Sequence, residues 1–139
     1  MHQAIEDIIP HRPPMRWINA LLDGDGKTFT ATACFSEGDY CVADGHVIET
    51  ALVECVAQSI AGALGLRQQS GGEGDRTAGN AMLVGATGFK ILSRPPVGKT
   101  IRIEFSETRR LGPMLMIACT ISGDGNGEIY ATGKLSLYA

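Results

Sequence analysis

The spacing of apolar residues changes several times along the chain, and each change marks an element. Ile5, Ile8 and Ile9 suit a short helix with Glu6 and Asp7 near its start. Pro10 ends it, and Pro13-Pro14 forces extended chain. Residues 15–22 are apolar enough for a strand, and Asp23-Gly24-Asp25-Gly26 is a turn signal. Residues 27–35 then alternate, with Phe29, Ala31, Ala33 and Phe35 on one side and Thr28, Thr30, Thr32 and Cys34 on the other. That period of two predicts a strand closing a hairpin. Residues 36–45, rich in Gly and Asp, predict a loop. Residues 47–66 carry apolar or small side chains on nearly every helical face, which predicts a buried helix. Gly71, Gly72, Gly74 and Gly79 make residues 68–79 a loop. Four strands are expected after it, at 81–92, 100–111, 114–122 and 128–138. Turn signals separate them at Arg94-Pro95-Pro96-Val97-Gly98, Gly112-Pro113 and Gly123-Asp124-Gly125.

This order is a hairpin, one long helix and a run of antiparallel strands. A lone apolar helix cannot stay bare in water, so the sheet must wrap it, giving an α+β architecture. Neither a repeat nor a linker interrupts the 139 residues, so residues 1–139 are expected to form one domain. A chain of this length buries roughly two-thirds of its unfolded surface and supports a core without staples. Glu49, Glu54, Gln58 and Ser59 interrupt the apolar helix. A carboxylate at its centre would cost a few kcal/mol in a bilayer, so no membrane span is expected.

Composition narrows the class further. The chain is 44% hydrophobic and 19% charged, as in globular proteins. Its net charge of −3 argues against a nucleic-acid binder. None of Cys34, Cys41, Cys55 and Cys119 forms a CxxC pair, so neither a zinc ribbon nor a thioredoxin-like site is suggested. No metal and no cofactor are expected. Residues 1–10 are too polar and too few for a secretory signal. The thiols are therefore expected to be reduced, without an intrachain disulfide, in a cytoplasmic protein.

Candidate chemistry centres on the helix. Thr50, Glu54 and Gln58 stand four apart and share a face. A carboxylate on a buried helix is costly unless paired, hydrogen-bonded or neutralised, and burial favours its protonated form, which suits a general acid. Two readings stay open for Glu54: this catalytic one, and a position at an edge or dimer seam where it meets water or an arginine. Gln58 either donates its amide to orient Glu54 or is an ordinary hydrogen-bonded helix glutamine.

Three segments resemble the β-hydroxyacyl-ACP dehydratases of the FabZ type. Ile9-Pro10-His11-Arg12-Pro13-Pro14-Met15 is similar to their LPHRxPxLLVD opening. Val53-Glu54-Cys55-Val56-Ala57-Gln58 resembles their central IEAMAQ, and residues 85–98 look like the strand AGIDKVRFRRPVVPG. The matches run in family order over roughly residues 5–138. The resemblance implies a hotdog fold, a long helix wrapped by a curved antiparallel sheet, assembled as a homodimer with sites at the subunit interface. It also implies dehydration of a 3-hydroxyacyl thioester on acyl carrier protein. In that chemistry a His takes the α-proton, a carboxylate on the neighbouring subunit's helix helps expel the hydroxyl, and a helix N-terminus with a backbone amide polarises the carbonyl.

Glu54 falls on the family carboxylate. The family histidine, fourteen residues earlier in GHFP, falls ungapped on Tyr40, and the glycine of MPG falls on Glu49. The run Ala43-Asp44-Gly45-His46 before the helix instead resembles the ApeP group of aryl-polyene biosynthesis, which shares ADG there and HxxPM near the start. His46 is thus a candidate replacement base or, alternatively, a solvent-facing residue of the cap region. His11 is expected to pack the proline-rich opening and His2 to be disordered. Trp17 and Met114-Leu115-Met116 read as core or tunnel wall. Arg94, Arg102, Arg109 and Arg110 are candidates for a basic rim that steers an anionic carrier, or are ordinary solvated charges.

The leading expectation is a dehydratase acting on an acyl-ACP or acyl-CoA thioester. Its catalytic residues would be Glu54 and His46, with Tyr40, Glu49, Thr50 and Gln58 contacting substrate. Two others stay open: a hotdog thioesterase in which the helix carboxylate activates water, and a non-catalytic subunit that binds acyl chains or completes a heterodimer.

Overall fold

The structure is a computed structural model that describes residues 18–23, 28–71, 82–125 and 127–138. The expected N-terminal helix, His2, His11, Pro13-Pro14, Met15, Trp17 and the turn at 24–26 lie outside them, as does most of the expected 68–79 loop. Strands β1 (Ala20–Asp23) and β2 (Thr28–Ala33) form the first hairpin. Two short strands, β3 (Val42–Ala43) and β4 (His46–Val47), precede helix α1 (Glu49–Gly71). Strands β5 (Met82–Ile91), β6 (Ile101–Leu111), β7 (Met114–Gly123) and β8 (Ile129–Tyr138) complete the described elements. The six longer strands form one sheet in the order β1-β2-β6-β7-β8-β5, with every pair antiparallel. The sheet curves around α1 in the α+β hotdog arrangement.

Alternation decides which face meets the helix. Phe29, Ala31 and Ala33 of β2, Ile101, Ile103 and Phe105 of β6, and Leu115, Ile117, Cys119 and Ile121 of β7 are all buried. Ala51, Leu52, Cys55, Val56, Ile60 and Ala63 of α1 join them in one cluster. The Phe29 and Phe105 rings stack with centroids 5.7 Å apart. Beyond the bulge between Glu107 and Arg109, β6 leaves this pattern and residues 108–111 are exposed.

Two expectations are corrected. The helix spans Glu49–Gly71, not 47–66. Val47 is withheld from it because its N–H donates to Pro95 O (2.9 Å) and its carbonyl accepts from Arg94 Nε (3.0 Å), which makes it strand. At the other end Arg67, Gln68 and Gln69 are good helix formers and carry the helix to Gly71. The expected 36–45 loop contains β3. Asp44 and Gly45 have φ of 54° and 73°, the two left-handed residues that a type I′ hairpin turn needs between β3 and β4.

Curvature is also built in at β5. Register shifts between Thr87 and Lys90, so Gly88 and Phe89 lie against the single residue Gly133 of β8. Gly88 has φ +64°, as a bulge with a left-handed first residue requires. A Cβ on Gly133 would fall against the Phe89 ring and 2.8 Å from Phe89 Cα, so backbone would have to move. Gly133→Ala is therefore expected to destabilise the fold by about 1–3 kcal/mol, as overpacking does. Thermal melts should show a lower Tm, and a smaller loss when Gly133→Ala is made in a Phe89→Ala background. Equal losses in both backgrounds would show that the ring is not the obstacle.

Candidate active site

The helix begins where the β3–β4 hairpin meets residues 93–98, and the sequence explains the junction. Pro95 and Pro96 have no N–H, so this stretch cannot supply the donors an ordinary strand would. It still accepts from Val47 N–H through Pro95 O, and Val97 N–H donates to Gly45 O (3.0 Å). His46 and Pro96 form an antiparallel bridge. The Arg94 side chain supplies a donor where Pro95 has none and reaches two further carbonyls. Its Nη2 donates to Ala43 O (2.8 Å) and His46 O (3.3 Å), and its Nε donates to Val47 O (3.0 Å). The same Nε lies 3.4 Å from Glu49 Oε1. A planar guanidinium fork can serve several acceptors at once in a way a lysine ammonium cannot.

An open cleft of about 610 Å³ lies over this junction, lined by His46, Glu49, Ile91, Leu92, Ser93 and Arg94. His46 is exposed, and its Nδ1 lies 2.9 Å from Asp44 O. A carbonyl only accepts, so Nδ1 carries the proton of this bond and in the neutral ring Nε2 keeps its lone pair. Glu49 sits in the first turn of α1, where negative charge complements the helix dipole, and its pairing with Arg94 offsets that charge beside the cleft.

The cleft thus brings His46 and Glu49 together, and Glu54, Tyr40, Thr50 and Gln58 do not line it. The expected polar face on α1 is a winding one. A step of four residues advances about 40° around a helix, so Thr50 is exposed, Glu54 half-buried and Gln58 buried. Glu54 instead shares the least covered side of the helix with Thr50, Val53, Ala57 and Ala61. Tyr40, expected to contact substrate, is 78% exposed, because the turn before β3 points it away from the core. Arg94 was legible only as one of four basic candidates. Its place before two prolines, which hold it extended, was the available signal for its role. Among the described residues no cluster could hold a metal ion, and no helix is long and apolar enough to cross a membrane.

The sequence model of the ApeP-like family, described as ApeP dehydratase, matches residues 3–139. The chain belongs to the ApeP-like family. It is a dehydratase-type hotdog protein by that membership. Among solved structures, an ApeP-like neighbour is the dehydratase heterocomplex ApeI:P from Xenorhabdus doucetiae, with TM-score 0.84, 20% identity and coverage of 99% of this chain and 91% of that one. The PaaI protein of E. coli aligns with TM-score 0.66 at 10% identity, over 86% of this chain and 81% of its own. A hypothetical thioesterase from Streptococcus pneumoniae TIGR4, solved with coenzyme A, aligns with TM-score 0.65 at 8% identity, over 85% and 82%. At these identities the ApeP-like chain shares their fold. No curated protein matches it.

Three of the four cysteines, Cys41, Cys55 and Cys119, lie in the buried core. Burial pushes the Cys41 thiol up, with the Asp39 carboxylate adding to it. Burial also raises Cys55, helped by Cys41 and Glu54. Cys119 is pushed up to about 11 by burial, against a hydrogen bond with the Gly133 backbone. Cys34 alone of the four is exposed. At about pH 8, below the ordinary thiol range, a maleimide is expected to modify one thiol per folded chain rapidly and the other three only on unfolding. Two fast thiols by mass spectrometry would show that a core thiol opens to solvent in the folded protein.

Proposed function

We propose that the protein eliminates water from a 3-hydroxyacyl thioester carried on acyl carrier protein or coenzyme A, in the cytoplasm, within fatty-acid- or polyene-type biosynthesis. The observation that carries this reading is the imidazole of His46 at the mouth of the helix, with Nδ1 committed to Asp44 O and Nε2 left as a base. Nε2 takes the α-proton, the C–H electron pair becomes the α,β double bond, and the β C–O bond breaks. The hydroxyl leaves as water with a proton from Glu54. Return of the proton from His46 to Glu54 through water restores both groups. Amides of the first turn of α1 polarise the thioester carbonyl, an interaction that strengthens as negative charge develops.

Glu54 does not line the cleft of its own chain, so this reading takes the carboxylate from Glu54 of the partner subunit in a homodimer. Support comes from the half-covered stripe Val53, Glu54, Ala57 and Ala61, with exposed Thr50 at its end, a side of the helix that a second subunit can cover. Thr50 and Gln58 then flank the acid, and Tyr40 and Glu49 meet the substrate from the rim. That the related ApeI:P structure is a heterocomplex makes a different hotdog partner the alternative outcome of a mass measurement in solution.

One observation favours a second reading. Tyr40 stands where the dehydratase histidine falls by ungapped matching, as expected of a subunit that binds acyl chains without turning them over. Product analysis separates the readings. The enoyl thioester from a 3-hydroxyacyl substrate supports the dehydratase. Free thiol from a saturated acyl thioester supports a thioesterase, and binding without turnover supports the non-catalytic subunit. Glu54→Gln is expected to lower dehydration by about 10²-fold, the scale of a general acid, while circular dichroism stays native. Full activity in Glu54→Gln would remove Glu54 from the mechanism.

A further inference from the structure

The bonds around Arg94 have a consequence for His46. Arg94 lies 48 residues from His46 in sequence and joins no catalytic motif, yet its guanidinium holds three carbonyls of the hairpin that carries the imidazole. Those carbonyls, at Ala43, His46 and Val47, bracket the Asp44-Gly45 turn, and Asp44 O is the acceptor of the ring proton. Pro95 has no N–H to give to Val47 O, and Arg94 Nε donates there in its place. The Arg94 side chain thus adds three bonds to the β3–β4 pairing and to the bond from Val97 N–H to Gly45 O, and it reaches both sides of the turn.

We propose that Arg94 is a positioning residue that fixes the tautomer and placement of His46. By pinning the β3–β4 turn it keeps Asp44 O within reach of Nδ1–H, so Nε2 is the nitrogen with the free lone pair. The catalytic part of this inference rests on the reading of His46 as the base, whereas the tautomer part stands without it. Lysine at this position keeps the charge but cannot span three carbonyls and a carboxylate, so the conservative variant should not restore the geometry. Glu49→Gln removes only the ion pair and leaves the carbonyl bonds, so it should leave the tautomer intact.

The test is nitrogen-15 NMR of the imidazole at a pH where the ring is neutral, on the full-length protein, beside steady-state dehydration of a 3-hydroxyacyl thioester. Wild-type protein and Glu49→Gln are expected to show the Nδ1–H tautomer. Arg94→Lys and Arg94→Gln, with a native amide spectrum, should show both tautomers. Their kcat should fall by about 10²-fold, the scale of a misplaced reacting group, with KM changed less than about twofold. A wild-type ring protonated on Nε2 would overturn the inference even if both Arg94 variants failed to fold. So would Arg94 variants that fold and keep the Nδ1–H tautomer. If the tautomer is lost in those variants while wild-type protein dehydrates nothing, the positioning role stands and the dehydratase reading falls. If the tautomer is lost and kcat is unchanged in an active enzyme, the catalytic part is overturned.

Discussion

Between Ala51 and Ala63 no side chain of the central helix is fully exposed, and that single fact organises the molecule. A helix with apolar residues on nearly every face loses apolar surface to water unless it is surrounded, and one flat sheet covers only one side of it. The antiparallel sheet therefore curves, using the Gly88-Phe89 bulge against Gly133 and the register shift after Glu107. What remains half-covered is the stripe that includes Val53, Glu54 and Ala57. The same burial makes the start of the helix the natural place for chemistry, because its first amides are the ones left without intrahelical partners.

The start of the helix is also where ordinary backbone pairing fails. Pro95 and Pro96 let residues 93–98 run extended, Pro95 has no N–H for Val47 O, and the Arg94 side chain donates there and to two further carbonyls of the hairpin. One guanidinium thereby ties the hairpin, the helix start and the rim of the cleft into a unit. Glu49 joins through its carboxylate. An exposed ion pair of this kind adds little stability by itself. Its consequence is electrostatic, since it offsets a negative charge beside the position where the proposed reaction develops an oxyanion.

Much of this fold was legible in the sequence, because period-two alternation survives over strands of ten residues. Each end of β5, β6, β7 and β8 lies within one residue of the expected boundary. Strands β3 and β4 were not legible, since two residues are too few for a period, although Asp44-Gly45 carried the chemistry of a hairpin turn. The site was only partly legible. Spacing put Thr50, Glu54 and Gln58 on one helical face, but each step of four drifts around the helix, and the trio passes from solvent into the core. No local pattern links Arg94 to His46, because the link is made by backbone carbonyls, which every residue possesses.

The central claim is that acyl thioester binds at the junction of hairpin, helix start and rim. The most direct test is an amide chemical-shift titration with a 3-hydroxyacyl pantetheine analogue whose thioester sulfur is replaced by NH, so that it binds without reacting. The account predicts saturable shifts concentrated on Gly45, His46, Glu49, Thr50, Leu92, Ser93 and Arg94. Shifts confined to the far end of β6 and β7, around Arg110 and Met114, with that junction unmoved, would contradict it.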